Sequence, residues 1–124
     1  MLRGEHPTIF GDGEQSRDFT FVANVVDANL RCCTAPAAQV AGLAFNAATG
    51  RRVTLNQTFS LLQKLTGYNG HPHFAPERTG DIKHSVADIS RIDRAIGYKP
   101  TVMFEEGLRH TVDWYRTQET AAMR

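Results

Sequence analysis

Apolar and polar positions fall in short, well-bounded blocks along the chain. Thr8-Ile9-Phe10 is β-branched and aromatic and is closed by Gly11-Asp12-Gly13, which predicts a short strand and a tight turn with positive φ. Phe19-Thr20-Phe21 alternates with period two, predicting a half-buried strand with both rings on one face and Thr20 on the other. Val22, Val25, Val26, Leu30 and Cys33 then recur at helical spacing, with Asn24, Asp27 and Arg31 opposite and Pro36 as terminator. By the usual rule for an amphipathic helix, the valine stripe faces a core.

Residues 40–46 form an apolar strand candidate with an exit turn at 48–50, and 51–53 add a short extended piece. Thr54 and Gln57 have capping-box spacing, so a helix starts there; Leu55, Phe59, Leu62 and Leu65 form its stripe, and Gly67 is its left-handed stop. Pro72 and Pro76 force the residues between them to be extended, and Glu77-Arg78-Thr79-Gly80-Asp81 is a polar loop. Asp88 is placed to cap a short helix bearing Ile89, Ile92 and Ile96, closed by Gly97. A last helix starts near Phe104, with Phe104, Leu108, Val112 and Tyr115 as its apolar face. The expected organisation is one α/β domain over residues 1–118 and a frayed tail at 119–124.

Composition narrows this picture mainly by exclusion. With 124 residues, 41% hydrophobic and 22% charged, the chain has the make-up of one globular domain. Fourteen Lys plus Arg against thirteen Asp plus Glu leave a net charge of +1, so no basic field exists to gather nucleic acid or anionic lipid. No apolar run approaches the length of a membrane span, and Met1 to Pro7 has no signal-like stretch. Cys32 and Cys33 are adjacent, where a mutual disulfide is strained, so they read as reduced thiols and point to a soluble cytoplasmic protein.

Few residues offer chemistry. Gly11-x-Gly13 has Ser16 where a dinucleotide fingerprint needs its third glycine, and no strand–glycine turn–helix unit surrounds it. A Tyr-x-x-x-Lys acid/base pair is missing: four residues after Tyr68, Tyr98 and Tyr115 stand Pro72, Val102 and Glu119. His71-Pro72-His73 has no cysteine or carboxylate cluster beside it, so no metal is expected, and Cys32 on a helix is expected to pack. Arg17, just before the Phe19 segment, is placed either to fork onto a phosphate or to pair with Asp18. Arg78 and Asp81, three apart in one loop, suit a diphosphate and a ribose hydroxyl, or an ion pair with each other.

A resemblance separates these alternatives. Residues 7–22 (PTIFGDGEQSRDFTFV), 46–50, 78–90 (RTGDIKHSVADIS), Gly97-Tyr98-Lys99-Pro100, and Phe104 to Leu108 through Trp114-Tyr115 carry it, in order and over nearly the whole chain. Together they resemble the C-terminal part of NAD-dependent nucleotide-sugar epimerases/dehydratases, which are extended short-chain dehydrogenases. The UDP-glucose and UDP-N-acetylglucosamine 4-epimerases are most similar. The resemblance implies a small mixed α/β substrate-binding lobe without the Rossmann domain, which in that family binds NAD and supplies the catalytic residues. It further implies that Arg17 and Arg78 hold the nucleotide diphosphate, Asp81 the ribose hydroxyls, and Thr8 and Phe10 the base, with Phe19 nearby. Phe19 stands where a Tyr is usual, and Met103 where a Ser or Thr helix cap is usual.

No catalytic residue and no cofactor is expected in this chain. The expected ligand is a UDP-sugar, with a Rossmann half or a second copy as partner. The alternatives are a stand-alone binding or oligomerisation module and a truncated remnant.

Overall fold

The β-branched run Thr8–Phe10 forms a strand (β1) and lies parallel to His73–Ala75 (β4), pairing Thr8 with His73 and Phe10 with Ala75. The computed structural model describes residues 1–122. In chain order, β1 is followed by β2 (Ser16–Arg17), α1 (Val22–Thr34), α2 (Ala37–Val40), β3 (Val53–Thr54) and α3 (Leu55–Thr66). After these come β4, α4 (Ser90–Ile96) and α5 (Phe104–Ala122). β2 and β3 form a second, antiparallel pair, and His84 adds a parallel bridge to Ser16. The result is the small mixed α/β lobe expected. The tail expected to fray, 119–124, ends outside the described residues, and α5 runs to Ala122.

Local signals are realised where they are self-sufficient. Thr54 Oγ1 accepts the Gln57 amide at 3.1 Å and Gln57 Oε1 accepts the Thr54 amide at 2.9 Å, completing the capping box of α3. Gly67 and Gly97 take left-handed φ values of 74° and 64° at the ends of α3 and α4. Asp88 Oδ1 accepts the Ser90 amide at 2.8 Å, and that bond holds its carboxyl below the usual carboxylate range.

Three expectations fail, each because a partner was assumed. Residues 19–21 form no strand; they run extended into α1, and the Phe19 and Phe21 rings lie on α5 instead, 5.3 Å from Phe104 and 5.5 Å from His110. Residues 40–46 form no strand either, because no strand among the described residues lies beside them to complete a ladder. The third failure is the sharpest. On α1 the valine stripe is the exposed face, with Val22 at 65%, Val26 at 50% and Leu30 at 62%, while Asn24 and Ala28 on the other side fall to 1% and 4%.

The buried side of α1 works through polar as well as apolar contacts. Asn24 Nδ2 donates to the Val102 carbonyl at 2.6 Å, and its Oδ1 accepts the Thr101 and Val102 amides at 3.0 Å each. One side chain therefore fixes the segment that enters α5. Ala28 packs with Ile92 and Tyr98 in the main cluster, flanked by Phe45, Ala47, Ile89 and Ile96. Tyr98 is fully buried, and its hydroxyl donates to the Ala48 carbonyl at 2.9 Å. Asp18 ties the same region together: its carboxylate accepts the Thr49, Gly50 and Ala87 amides.

Candidate functional site

The turn after β1 is built from both sides. Gly11 and Gly13 both adopt φ of 77°, a region that costs a Cβ-bearing residue energy. A Cβ on Gly13 would fall 2.1 Å from Asn56 Oδ1, so α3 packs directly on the turn. The Asn56 amide donates to the Gly13 carbonyl at 3.0 Å, and its side-chain Nδ2 donates to the Asp12 carbonyl at 3.1 Å. This turn is held by α3 and leads into β2. A dinucleotide-binding glycine turn instead opens a helix whose amides face the pyrophosphate, so the residues present do not fit NAD.

The segment 76–83 crosses in front of the turn. It is anchored by the ladder at Ala75, whose carbonyl accepts the Gly11 amide at 2.8 Å, and by Ser16, whose amide donates to the Lys83 carbonyl at 2.8 Å. Ser16 Oγ and His84 Nδ1 are 2.9 Å apart, and the Ser85 amide donates to the Ser16 carbonyl at 3.0 Å. Between these anchors the side chains are exposed and three of them reach back to the turn and β2. The Arg78 guanidinium sits 3.9 Å from the centre of the Phe10 ring. Asp81 forms an ion pair with Arg17, and Lys83 Nζ donates to Asp12 Oδ2 at 3.1 Å. The Glu14 amide and the Lys83 ammonium hold the Asp12 carboxyl below its ordinary range, and Asp12 raises Lys83 above its own.

Of the six residues expected to bind, Phe10, Arg17, Arg78 and Asp81 come together here from positions far apart in the chain. Thr8 lies at the start of β1. The ladder to β4 uses the Pro7 carbonyl and the Gly11 amide, so the period-two backbone turns the Thr8 groups to the free edge of β1. Phe19 stands apart, against Phe104. Neither local ion pair weighed from the sequence forms: Asp18 is occupied by backbone amides, and Arg78 lies on Phe10 rather than on Asp81.

Sequence reasoning missed Asp12, Lys83 and Gln15, which line the same cavity. Gln15 Nε2 donates to the Phe10 carbonyl at 2.5 Å, and its Oε1 is buried without a partner among the described residues. A polar side chain two residues past a glycine turn is the signal that could have drawn attention to Gln15. The Asp12–Lys83 pair, 71 residues apart, carries no local signal.

The cavity at this site measures about 50 Å³. A larger open groove, about 720 Å³, runs between α3 and the start of α5, lined by Arg51, Arg52 and Lys64 but also by Glu14 and Glu105. None of the expected site residues borders it. Among the described residues no group of three or more His, Cys, Asp or Glu side chains is placed to hold a metal, and no helix is long and apolar enough to cross a membrane. Cys32 is half-buried and Cys33 exposed, both free thiols on α1.

Comparison with known proteins places the chain in a class. Residues 1–111 match the GDP-mannose 4,6 dehydratase family model. The chain belongs to that family of NAD-dependent nucleotide-sugar epimerases and dehydratases. Its individual likenesses include several 4-epimerases. It is 35% identical over 118 residues to a UDP-glucose 4-epimerase of Mycolicibacterium smegmatis, covering 95% of this chain and 37% of that protein. The structure of UDP-glucose 4-epimerase from Thermotoga maritima with UDP-glucose superimposes with a TM-score of 0.88 at 42% identity, over 95% of this chain and 37% of that one. UDP-glucuronic acid 4-epimerase of Bacillus cereus, in complex with UDP-glucuronic acid and NAD, gives a TM-score of 0.86 at 27% identity, over 94% and 37%. The chain thus spans little more than a third of the length of the relatives it matches.

Proposed function

We propose that this chain is the nucleotide-sugar-binding lobe of a 4-epimerase-type enzyme and that it holds the nucleotide diphosphate of a UDP-sugar. Phe10, Arg78 and Asp81 line one cleft, Arg17 is joined to it through its ion pair with Asp81, and that convergence carries the reading. Two guanidinium forks suit a diphosphate, a carboxylate accepts from ribose hydroxyls, and Phe10 with the free edge of β1 at Thr8 offers a face and an edge to a base. The UDP-glucose and UDP-glucuronic acid bound to the similar epimerases support the same ligand class.

Hydride transfer lies with the part of the relatives that this chain does not span, and NAD belongs there. The chain's own surface supports such a partner. It exposes 8327 Å², where a compact monomer of 13.8 kDa exposes about 6,600 Å². The stripe of Val22, Val25, Val26 and Leu30, with Leu43 also exposed, supplies an apolar part of that excess. We assign this face to the dinucleotide-binding half; self-association through it is the competing outcome.

Titration of UDP-glucose into the chain tests the site. Two arginines and a carboxylate gross about 6 kcal/mol before association entropy, so binding near 1 mM is expected. The Arg17→Ala, Arg78→Ala double variant loses it. Submicromolar binding, or binding indifferent to both substitutions, overturns the assignment.

A further inference from the structure

Four of the groups that would meet the nucleotide, Phe10, Arg17, Arg78 and Asp81, already meet one another, and the pairing is chemically matched. Arg17 needs an anion and has the Asp81 carboxylate. Phe10 needs a flat partner on its ring and has the planar Arg78 guanidinium at 3.9 Å. The remaining space is about 50 Å³, whereas pockets for ligands of this size run to about 300–1,000 Å³.

We propose that residues 76–83 form a strap that closes the site by mimicking the ligand: the Asp81 carboxylate stands in for a phosphate on Arg17, and the Arg78 guanidinium for a base on Phe10. The proposal rests on the nucleotide reading for the identity of what is mimicked, but the closed state stands on the intramolecular contacts alone. The Lys83–Asp12 pair is a latch outside the mimicry, tying the strap to the β1 turn. Glu77 closes the other end, so tightly that a Cβ on Gly11 would lie 2.9 Å from Glu77 Cγ. The strap is free to swing as a unit: its side chains are exposed, Gly80 sits at φ +82° in open space, and its ends are pinned at Ala75 and Ser16.

The strap makes ligand binding a displacement. Apparent affinity then falls by the fraction of time the site is open, and anything that loosens the strap tightens binding. Apart from the hydrogen bonds that the Lys83 carbonyl accepts at its anchored end, its ties through polar side chains are exposed or half-exposed ion pairs and one cation–π contact, so high salt opens it in the unaltered chain.

Hydrogen exchange followed by mass spectrometry, on the whole chain and on Lys83→Met and Asp81→Asn, reads the strap without any ligand. The Asp81 amide, which donates to the Arg78 carbonyl at 3.1 Å within residues 77–83, is expected to exchange about threefold faster in each variant, the size of one exposed tie, while α3 and α5 are unchanged. Unchanged exchange in residues 77–83 overturns the strap. Titration with pyrophosphate, which has neither base nor ribose, gives the second reading. Asp81→Asn is expected to bind it about threefold more tightly because Arg17 is released, and no gain, or no binding in the variant, counts against the proposal.

Charge alone also favours an anion in Asp81→Asn, so Lys83→Met is the deciding variant. Loss of a cation on charge grounds weakens pyrophosphate, whereas strap release strengthens it, and weaker binding contradicts the proposal. UDP separates the two claims. If the exchange and pyrophosphate results hold and UDP gains nothing over pyrophosphate, the strap stands and the nucleotide reading falls. If UDP binds and the variants leave strap exchange unmoved, the reverse holds.

Discussion

Tyr98 and Asn24 are the two residues on which most of the interior depends, and both act through hydrogen bonds as much as through volume. Tyr98→Phe leaves the buried Ala48 carbonyl without its donor and is expected to cost about 1–2 kcal/mol in a denaturant titration. Desolvation, with Asp27 and Asp18 nearby, raises the Tyr98 phenol above its ordinary value of about 10. The folded state therefore keeps that proton longer than the unfolded chain does. Its stability is fully present below about pH 10 and is lost as pH rises from there through the folded value, and Tyr98→Phe should flatten that alkaline slope. Tyr98 was legible in the sequence only as part of a Gly-Tyr-Lys-Pro match; nothing local marks a tyrosine as the most buried side chain. The turn glycines were fully legible, because positive φ is a property of the residue itself.

At the scale of elements, α1 is where pattern and structure part. A helical wheel finds the apolar stripe correctly but cannot say whether its cover lies within the chain. Here the described residues cover the opposite side. Asn24→Ala strips partners from two amides and a carbonyl at the entry to α5 and is expected to cost about 3 kcal/mol. Leu30→Glu, in the stripe that the pattern marks as core, is expected to change stability by less than about 0.5 kcal/mol. Reversal of that order in thermal or denaturant unfolding contradicts the assignment of faces. The same reasoning explains residues 40–46: their composition suits a strand, but a strand forms only against a neighbour. α3 was legible to the residue because its cap, stripe and stop are all local.

For the whole molecule, the excess surface and the exposed stripe of α1 have a joint consequence. Mixed with the dinucleotide-binding half of a similar 4-epimerase, the chain is expected to form a one-to-one complex that binds NAD, and Leu30→Glu is expected to abolish the complex without unfolding the chain. A stable homodimer of the chain alone, broken by Leu30→Glu, would assign the stripe to self-association instead; light scattering after gel filtration distinguishes the two. The site's main ion pair, Arg17 with Asp81, joins residues 64 apart, which is why spacing pointed to local partners instead; the family resemblance named both residues, but for roles toward a ligand rather than for each other.

The central claim is that nucleotide sugar binds at the turn after β1, under the strap. Amide chemical shifts followed by NMR during titration with UDP-glucose test it most directly. The account predicts that the moving resonances are those of Phe10 to Arg17 and of residues 77–83. Shifts concentrated instead at Arg51, Arg52 and Lys64, in the open groove beside α3, would contradict it.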